Sequence, residues 1–292
     1  MPDAPEKAFS AAKGPGQADL WAGKTGETWA AFHPELDAMV GPLGRAAMDA
    51  ADPQPGERVL DVGCGAGETA LELARRVRPG GTVTGVDVSP PLLAVARARA
   101  DAADLSGIRF LEADAGTLAA TDAPVDLVYS RLGVMFFSDP AAGFANLRRL
   151  MRTGGRLVFA CWGPRAENAW AALPVEILRR HVHDLEPPVP RAPGPFAFEE
   201  RDHIASVLEE AGYADVEIAR WASPVAIGGW DASVEEAVRF FLSVGPAAAA
   251  LRDRGPGLRA ALARDLDGLA RAHAGPSGVR FPASAFIVTA KA

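Results

Sequence analysis

Cysteine is scarce: 292 residues carry only Cys64 and Cys161. One lies inside a glycine-rich stretch and the other at the end of an apolar run. Two such thiols exclude a disulfide framework and a cysteine-based zinc site. Lysine is nearly as rare, with Lys7, Lys13, Lys24 and Lys291 the only four among 30 basic residues. The arginine and alanine excess reads as high-GC codon usage. Net charge is −7, and no basic cluster stands out, which argues against a nucleic-acid binder whose affinity comes from phosphate neutralisation. No apolar run approaches the roughly 18 residues of a membrane span. The opening MPDAPEKAFSAAKG lacks the apolar centre of a secretory signal. The expected setting is therefore the reducing cytoplasm of a bacterium, and the expected state is a monomer or homodimer.

What is present is apolar and well patterned. A hydrophobic share of 49% with 23% charged residues is too apolar for disorder. It suffices for one large domain, or a core with a smaller cap. Residues 1–19 read as a polar, Gly-, Pro- and Ala-rich leader. Leu20 to Ala50 read as two or three helical segments carrying Trp21, Trp29, Phe32, Leu36, Met39 and Leu43. Asp52-Pro53-Gln54-Pro55-Gly56 breaks the chain.

An alternation then begins. Strands are expected at Arg58–Val62, Val83–Asp87, Ile108–Leu111, Val125–Tyr129 and Leu157–Trp162. Helices between them start at Thr69, after Ser89-Pro90 and after Asp139-Pro140, with Ser89 as a side-chain cap. Such an alternation implies a parallel sheet covered on both faces. Beyond it come a short helix and Pro-rich loop over 163–198, a helix around Ile204–Ala211, a strand from Val216, helices over 232–273 and a last strand at Phe286–Ala290.

The chemistry concentrates in VLDVGCGAG, residues 59–67, which follows a strand and opens a helix. Such a turn exposes backbone N–H groups and lets a ligand approach the chain. A dinucleotide requires G-x-G-x-x-G. Here the glycines are Gly63, Gly65 and Gly67, Glu68 occupies the next position, and Asp61 precedes the first glycine by two. An acid there repels a pyrophosphate and suits an ammonium, directly or through a water. Asp87 ends the second strand and is placed to accept both hydroxyls of a ribose. Asp114 follows the third strand and is placed for an adenine amino group; a plain turn role is its alternative. Three acids at successive strand ends line one crevice, where doubly wound sheets bind ligands.

VLDVGCGAG, GVDVSPPLLAVARARA, EADA, DLVYSRLGVMFF and LRRLMRTGGRLVFACW together resemble the ordered motifs of class I S-adenosylmethionine-dependent methyltransferases, most closely the branch of the ubiquinone- and menaquinone-biosynthesis enzymes. The likeness covers residues 57–162, and ERDHIASVLEEAGYADVEIARW resembles that family's next helix and strand. It implies an α/β, doubly wound, seven-stranded Rossmann-like sheet of order 3-2-1-4-5-7-6, with strand 7 antiparallel and helical N-terminal and cap insertions. The implied division is a leader and lid over 1–50, an S-adenosylmethionine-binding core over 51–162, an insertion over 163–199, a core helix and strand over 200–230, a helical cap over 231–277 and a last strand over 278–292.

The implied cofactor contacts are Asp61, Gly63, Cys64, Gly65 and Gly67 of the loop, and Asp87 with Val88. Asp114 with Ala115 follows, then Ser130. Trp21 and Trp29 sit in a segment resembling the family's lid, though helix packing explains them equally. Cys64 reads as a small loop residue rather than a nucleophile. Arg131 is the weak candidate for orienting the acceptor, with a surface ion pair as its alternative. Met135, Phe136 and Phe137 read as core before substrate wall. His181-x-His183 reads as exposed histidines, and no metal is expected. Phe241, Leu242 and the Leu258–Leu269 stripe are the expected apolar wall above the crevice.

The expected reaction is direct, in-line methyl transfer from S-adenosylmethionine to a small, fairly apolar acceptor. The alternative is a catalytically silent binding or scaffold protein of the same fold.

Overall fold

The computed structural model describes residues 17–119, 123–251 and 254–292. The expected leader lies outside the described residues as far as residue 16. The chain opens with α1 (Gln17–Ala22), α2 (Lys24–Ala31) and α3 (His33–Ala51). Met39, Leu43, Ala47 and Met48 recur at helical spacing on the buried face of α3. That helix stops at Asp52, whose φ of 42° turns the chain out of helical geometry.

Next come β1 (Arg58–Val62), α4 (Glu68–Arg76), β2 (Thr82–Asp87), α5 (Pro90–Ala102), β3 (Ile108–Glu112), β4 (Val125–Arg131), α6 (Pro140–Leu150) and β5 (Met151–Trp162). Asp139 caps α6, its carboxylate accepting the Ala142 N–H at 3.0 Å. Ser89 does not cap α5 in the expected way, because its hydroxyl makes no such bond. Instead Asp87 Oδ1 accepts the Ser89 N–H at 2.9 Å. Ser130 and Arg131 are the last residues of β4 rather than the loop after it. From Leu157 to Trp162 every residue of β5 is buried, as a central strand covered on both faces requires.

The remainder holds α7 (Ala169–His181), α8 (Arg201–Glu210), β6 (Ala214–Ala222), β7 (Val225–Ala226), α9 (Val234–Phe241), α10 (Pro246–Ala250), α11 (Pro256–Ala272), β8 (Ala274–Gly275), β9 (Gly278–Phe281) and β10 (Ser284–Lys291). Ser233 and Glu236 close the start of α9 with a reciprocal capping box.

Among the described residues seven strands form one sheet, ordered β3-β2-β1-β4-β5-β10-β6. All neighbours within β3–β5 run parallel, and β10 runs antiparallel to both β5 and β6. This is the expected order, with β10 as the seventh strand. Strands β7, β9 and β8 form a second, small sheet that the sequence did not announce, two of them being only two residues long. In the large sheet the chain winds outward from β1 to β3, then returns to β4 on the other side of β1. The switch point between β1 and β4 opens a crevice at their carboxyl ends. Apolar packing is continuous from the sheet into the later helices: Phe144 and Phe159 belong to the same buried cluster as Phe240, Leu262 and Leu266.

Candidate functional site

The loop after β1 owes its shape to three glycines with positive φ: Gly63 at 67°, Gly65 at 51° and Gly67 at 84°. Their roles differ. A Cβ on Gly63 would lie 2.7 Å from the Gly133 Cα, and one on Gly67 would lie 2.8 Å from the Ala96 Cβ. These two let protein pack on protein, Gly67 by admitting α5. A Cβ on Gly65 would meet no atom within 4 Å, because Gly65 faces a cavity of about 240 Å³.

Asp87 fastens that loop to the end of β2. Its Oδ2 accepts the Gly65 N–H at 2.8 Å while Oδ1 holds the start of α5. Burial pushes its carboxyl above the ordinary carboxylate range, against backbone N–H groups of Gly65, Ser89 and Val88 that hold it down. Asp87 and Val88 both line the cavity. Asp114 lines it too, and its Oδ1 accepts the Gly116 N–H at 2.8 Å. The turn role is therefore real, and it leaves Asp114 on the cavity rim beside buried Ala115.

Asp61 lies behind the loop rather than on the cavity wall. It is fully buried, and Oδ2 accepts the Thr69 hydroxyl at 2.6 Å. Its Oδ1 has no partner among the described residues. Burial pushes this carboxyl up to about 7; Thr69 and Arg131 oppose the rise, and the neighbouring Asp87 and Glu68 charges add to it. Thr69 stands between Asp61 and the cavity, which it lines.

Gly67 and Ser130, both expected to touch a cofactor, are not among the lining residues. The Ser130 hydroxyl donates to Val62 O at 2.8 Å and accepts the Gly133 N–H at 3.2 Å. It ties the ends of β1 and β4 together. The backbone of Cys64 belongs to the lining loop, but its thiol is buried against Gly85. Burial and the Asp61 and Asp87 charges push that thiol far above its ordinary range, which leaves no thiolate nucleophile.

Arg131 lines the cavity, but its guanidinium is already engaged. It pairs with Glu68 of α4 and, at 3.5 Å, with Asp37 of α3. Asp37 in turn pairs with Arg99 of α5 at 2.9 Å. Gly44 makes room for this bridge, since a Cβ there would approach Arg131 Cδ to 3.0 Å. The ion-pair alternative for Arg131 thus describes its contacts, and the bridge locks α3 onto the core.

Trp21 and Trp29 meet edge to face, 4.9 Å between centroids, and Trp21 meets Phe136 in the same way at 5.3 Å. Both tryptophans line the cavity. Gly26 presses this segment onto the start of α5: a Cβ there would lie 2.5 Å from the Ser89 hydroxyl.

The apolar part of the lining was only partly foreseen. Met135, Phe136 and Phe137 belong to the lining, as do Trp162, Trp170, Pro195, Val244, Gly245 and, from α3, His33. Trp170 is held by Asn168, which is fully buried and accepts the indole N–H at 3.1 Å. The 232–273 segment contributes Val244 and Gly245 rather than the expected Phe241, Leu242 and Leu258–Leu269 stripe. Phe241 packs on Phe281 at 5.4 Å, and Leu262 and Leu266 are fully buried on α11. Their stripe faces the core because that face is the one the other helices cover. The signal for the true wall was the Gly245-Pro246 turn, which re-aims the chain between α9 and α10.

His181 and His183 take no part in the cavity. His181 Nε2 lies 2.7 Å from Asp265 Oδ2 on α11. Among the described residues no cluster of three or more His, Cys, Asp or Glu is placed to hold a metal ion, and no helix is long and apolar enough to cross a membrane.

Comparison with known proteins agrees with this geometry. Residues 59–155 match the family model described as a methyltransferase domain. Nocamycin O-methyltransferase of Saccharothrix syringae is 30% identical over 82% of this chain and 88% of its own length. Demethylmenaquinone methyltransferase of Thermus thermophilus is 40% identical over 43% of this chain and 56% of its own length. The solved YcgJ protein of Bacillus subtilis superposes with a TM-score of 0.57 at 16% identity, covering 86% of this chain and 98% of that one. The acid-flanked glycine loop at the β1–β4 switch point and the match over nearly the full length of the Saccharothrix enzyme lead to one conclusion: the chain belongs to the class I S-adenosylmethionine-dependent methyltransferases, related to those of quinone biosynthesis.

Proposed function

We propose that this chain transfers a methyl group directly, in line, to a small and fairly apolar acceptor. One observation carries the reading: one cavity is lined by Gly63–Gly65, Asp87 and Asp114, which follow or end β1, β2 and β3, and by Trp162 at the end of β5 with Trp170 packed on it at 5.0 Å. A cationic sulfonium nucleoside suits the first and an apolar acceptor the second. The relative from Saccharothrix syringae is named an O-methyltransferase of nocamycin, which supports an oxygen acceptor.

The residues present fit the methyl donor on two structural grounds. The open side of Gly65 leaves a cradle that any side chain would fill. The buried Oδ1 of Asp61 is an acceptor without a hydrogen-bond partner among the described residues, which a bound group can satisfy. On this reading Asp61 answers the donor's ammonium through Thr69 or a water, rather than directly. Asp87 accepts the ribose hydroxyls, Asp114 and the Ala115 N–H meet the adenine, and Trp21 and Trp29 cover the mouth. When bound, S-adenosylmethionine supplies a methyl group already activated by its sulfonium. The protein's share is to hold the acceptor in line and exclude water. Orientation of this kind contributes roughly 7–11 kcal/mol, and the apolar walls strengthen electrostatics inside the closed site.

The test is calorimetry with S-adenosylhomocysteine, followed by label transfer. One-to-one binding is expected, with label from methyl-labelled donor passing into an organic-extractable product. Absence of binding, or label recovered only in protein or nucleic acid, overturns the reading.

A further inference from the structure

We propose that His33 is the proton acceptor for an aromatic hydroxyl placed in the apolar end of the cavity. The inference rests on the methyl-transfer reading and adds to it a substrate class and a catalytic residue.

The argument is one of elimination followed by chemistry. Each other carboxylate, and the guanidinium, lining the cavity already holds a partner. Asp37 and Arg131 pair with each other and with further charges. Both oxygens of Asp87 take backbone N–H groups, and Asp114 holds the Gly116 N–H. Thr69 donates to Asp61, and the Cys64 thiol is buried in the core. Ser138 is a hydroxyl with no basicity to offer.

His33 differs. Its Nδ1 lies 2.9 Å from the Ala30 carbonyl oxygen. A carbonyl can only accept, so Nδ1 carries the proton, and the neutral ring's lone pair sits on Nε2. That nitrogen has no hydrogen-bond partner among the described residues. A backbone carbonyl thus fixes the tautomer and orients the ring, as the third member of a catalytic triad does for its histidine.

Placement supports the same end of the cavity. Phe32 meets Phe240 of α9 edge to face at 6.1 Å, and Glu35 pairs with Arg239 of α9 at 2.9 Å. The first turn of α3 is therefore docked against the helix that leads to Val244 and Gly245, the walls of the apolar end. Trp162 and Trp170 offer flat faces for an aromatic ring. An apolar ring with one ionisable hydroxyl meets those walls and leaves one polar atom to satisfy, and His33 Nε2 is the atom that satisfies it.

The step balances. The hydroxyl proton passes to His33 Nε2 while the acceptor oxygen forms its bond to the methyl carbon. The carbon–sulfur bond breaks, and its electron pair stays on sulfur. A methyl aryl ether, S-adenosylhomocysteine and an imidazolium result, the last carrying the positive charge that the sulfonium brought.

Two measurements test this on the full chain. In histidine-labelled protein without ligand, ¹⁵N spectra are expected to show His33, assigned by its loss in His33→Gln, as protonated on Nδ1 and bare on Nε2. The opposite tautomer overturns the proposal. Methyl transfer is then followed on substituted phenols of graded acidity, from 4-methoxyphenol to 4-nitrophenol. The last of these is ionised in mildly alkaline buffer. His33→Gln is expected to lower kcat by about 10²–10⁴-fold on the least acidic phenols and to change it little on ionised 4-nitrophenol. A loss equal across the series, or no loss, assigns His33 a packing role and overturns the proposal. A wild-type protein that binds S-adenosylhomocysteine yet methylates no phenol overturns it as well. Failure to bind S-adenosylhomocysteine, by contrast, sinks the methyl-transfer reading itself.

Discussion

The two ends of the cavity are built by different means. On the proposed reading the donor end is formed at the carboxyl ends of β1, β2 and β3, from Gly63 to Ala115, with Asp87 bracing it through the Gly65 N–H. The acceptor end is made of side chains that arrive from α3, β5, α7, the Pro195 loop and the α9–α10 turn. A backbone cradle fixes one ligand shape and tolerates little variation. A wall of side chains on separate elements accepts substitution piece by piece, so one sheet can serve many acceptors. On the proposed reading the donor end supplies the fixed part of the reaction, and the acceptor end sets specificity.

The largest effects should come from the glycine loop, where two neighbours separate folding from binding. Gly67→Val puts a Cβ 2.8 Å from Ala96 at a φ of 84°, forcing α4 and α5 apart. We expect loss of soluble, folded protein. Gly65→Val places its side chain in open space. It adds about 1–2 kcal/mol of backbone strain, which the fold absorbs. The same side chain occupies the cradle, so S-adenosylhomocysteine affinity should fall beyond about a hundredfold, the equivalent of roughly 3 kcal/mol. Thermal melting and calorimetry on both variants decide it. A folded Gly65→Val that binds normally would make the loop a mere turn and dissolve the contrast between the two ends.

Asp61 sharpens the comparison through pH. Its carboxyl titrates at about 7 in the folded chain against 3.8 ordinarily. Below about 4 both states hold the proton. Between about 4 and 7 the folded chain keeps a proton that the unfolded chain has released, and stability falls as pH rises through this window. A shift of this size corresponds to roughly 4 kcal/mol. Asp61→Asn removes the buried charge. Without ligand it should be more stable than wild type above about pH 7, and the gap should close as pH falls, while S-adenosylhomocysteine binding weakens. Parallel stability curves for the two proteins across that window would show Asp61 to be solvated after all.

The glycine loop and the carboxylates around it were legible because they are local. Glycine punctuation, apolar runs and acids at strand ends place Asp61, Gly65 and Asp87 within one crossover unit, where the chain's own topology brings them together. The sheet order followed from the same alternation. What the sequence could not show depends on distant packing. Gly67 looks like a ligand contact until Ala96 of α5 is seen against it. Arg131 meets Asp37, 94 positions earlier, so its engagement is invisible to spacing. The α11 stripe shows that a face is apolar without showing which neighbour covers it, and so Val244 and Gly245 were missed in favour of Phe241. Strands of two residues, such as β7 and β8, leave no periodicity to read.

Asp87 is the smaller lever at the donor end because it has two duties. It braces the loop through Gly65 and α5 through Ser89, and on the proposed reading it also faces the ribose. Asp87→Asn keeps the volume but exchanges an acceptor for an amide that opposes a backbone N–H. Hydrogen bonds to a charged group contribute about 1.5–3 kcal/mol each. Losing one should weaken S-adenosylhomocysteine binding at least about tenfold, with a folded protein by circular dichroism. Unchanged affinity would remove Asp87 from the donor end.

The smallest effect should come from the outer surface, where α7 and α11 meet through His181 and Asp265. Their 2.7 Å contact joins α7 to α11 with side chains 27% and 41% exposed. Exposed pairs contribute about 0–1 kcal/mol because water and salt screen them. Ile177 and Leu178 of α7 and Leu262 and Leu266 of α11 are buried in the common core, and this apolar packing holds the two helices. His181→Gln should therefore shift stability by less than about 1 kcal/mol and leave S-adenosylhomocysteine binding and methyl transfer unchanged. Added zinc should not raise the melting temperature of either protein, since a carboxylate on a different helix already occupies the imidazole. A larger loss would mean that a polar latch, rather than packing, sets the position of the acceptor wall, and the two ends of the cavity would then share one mode of construction.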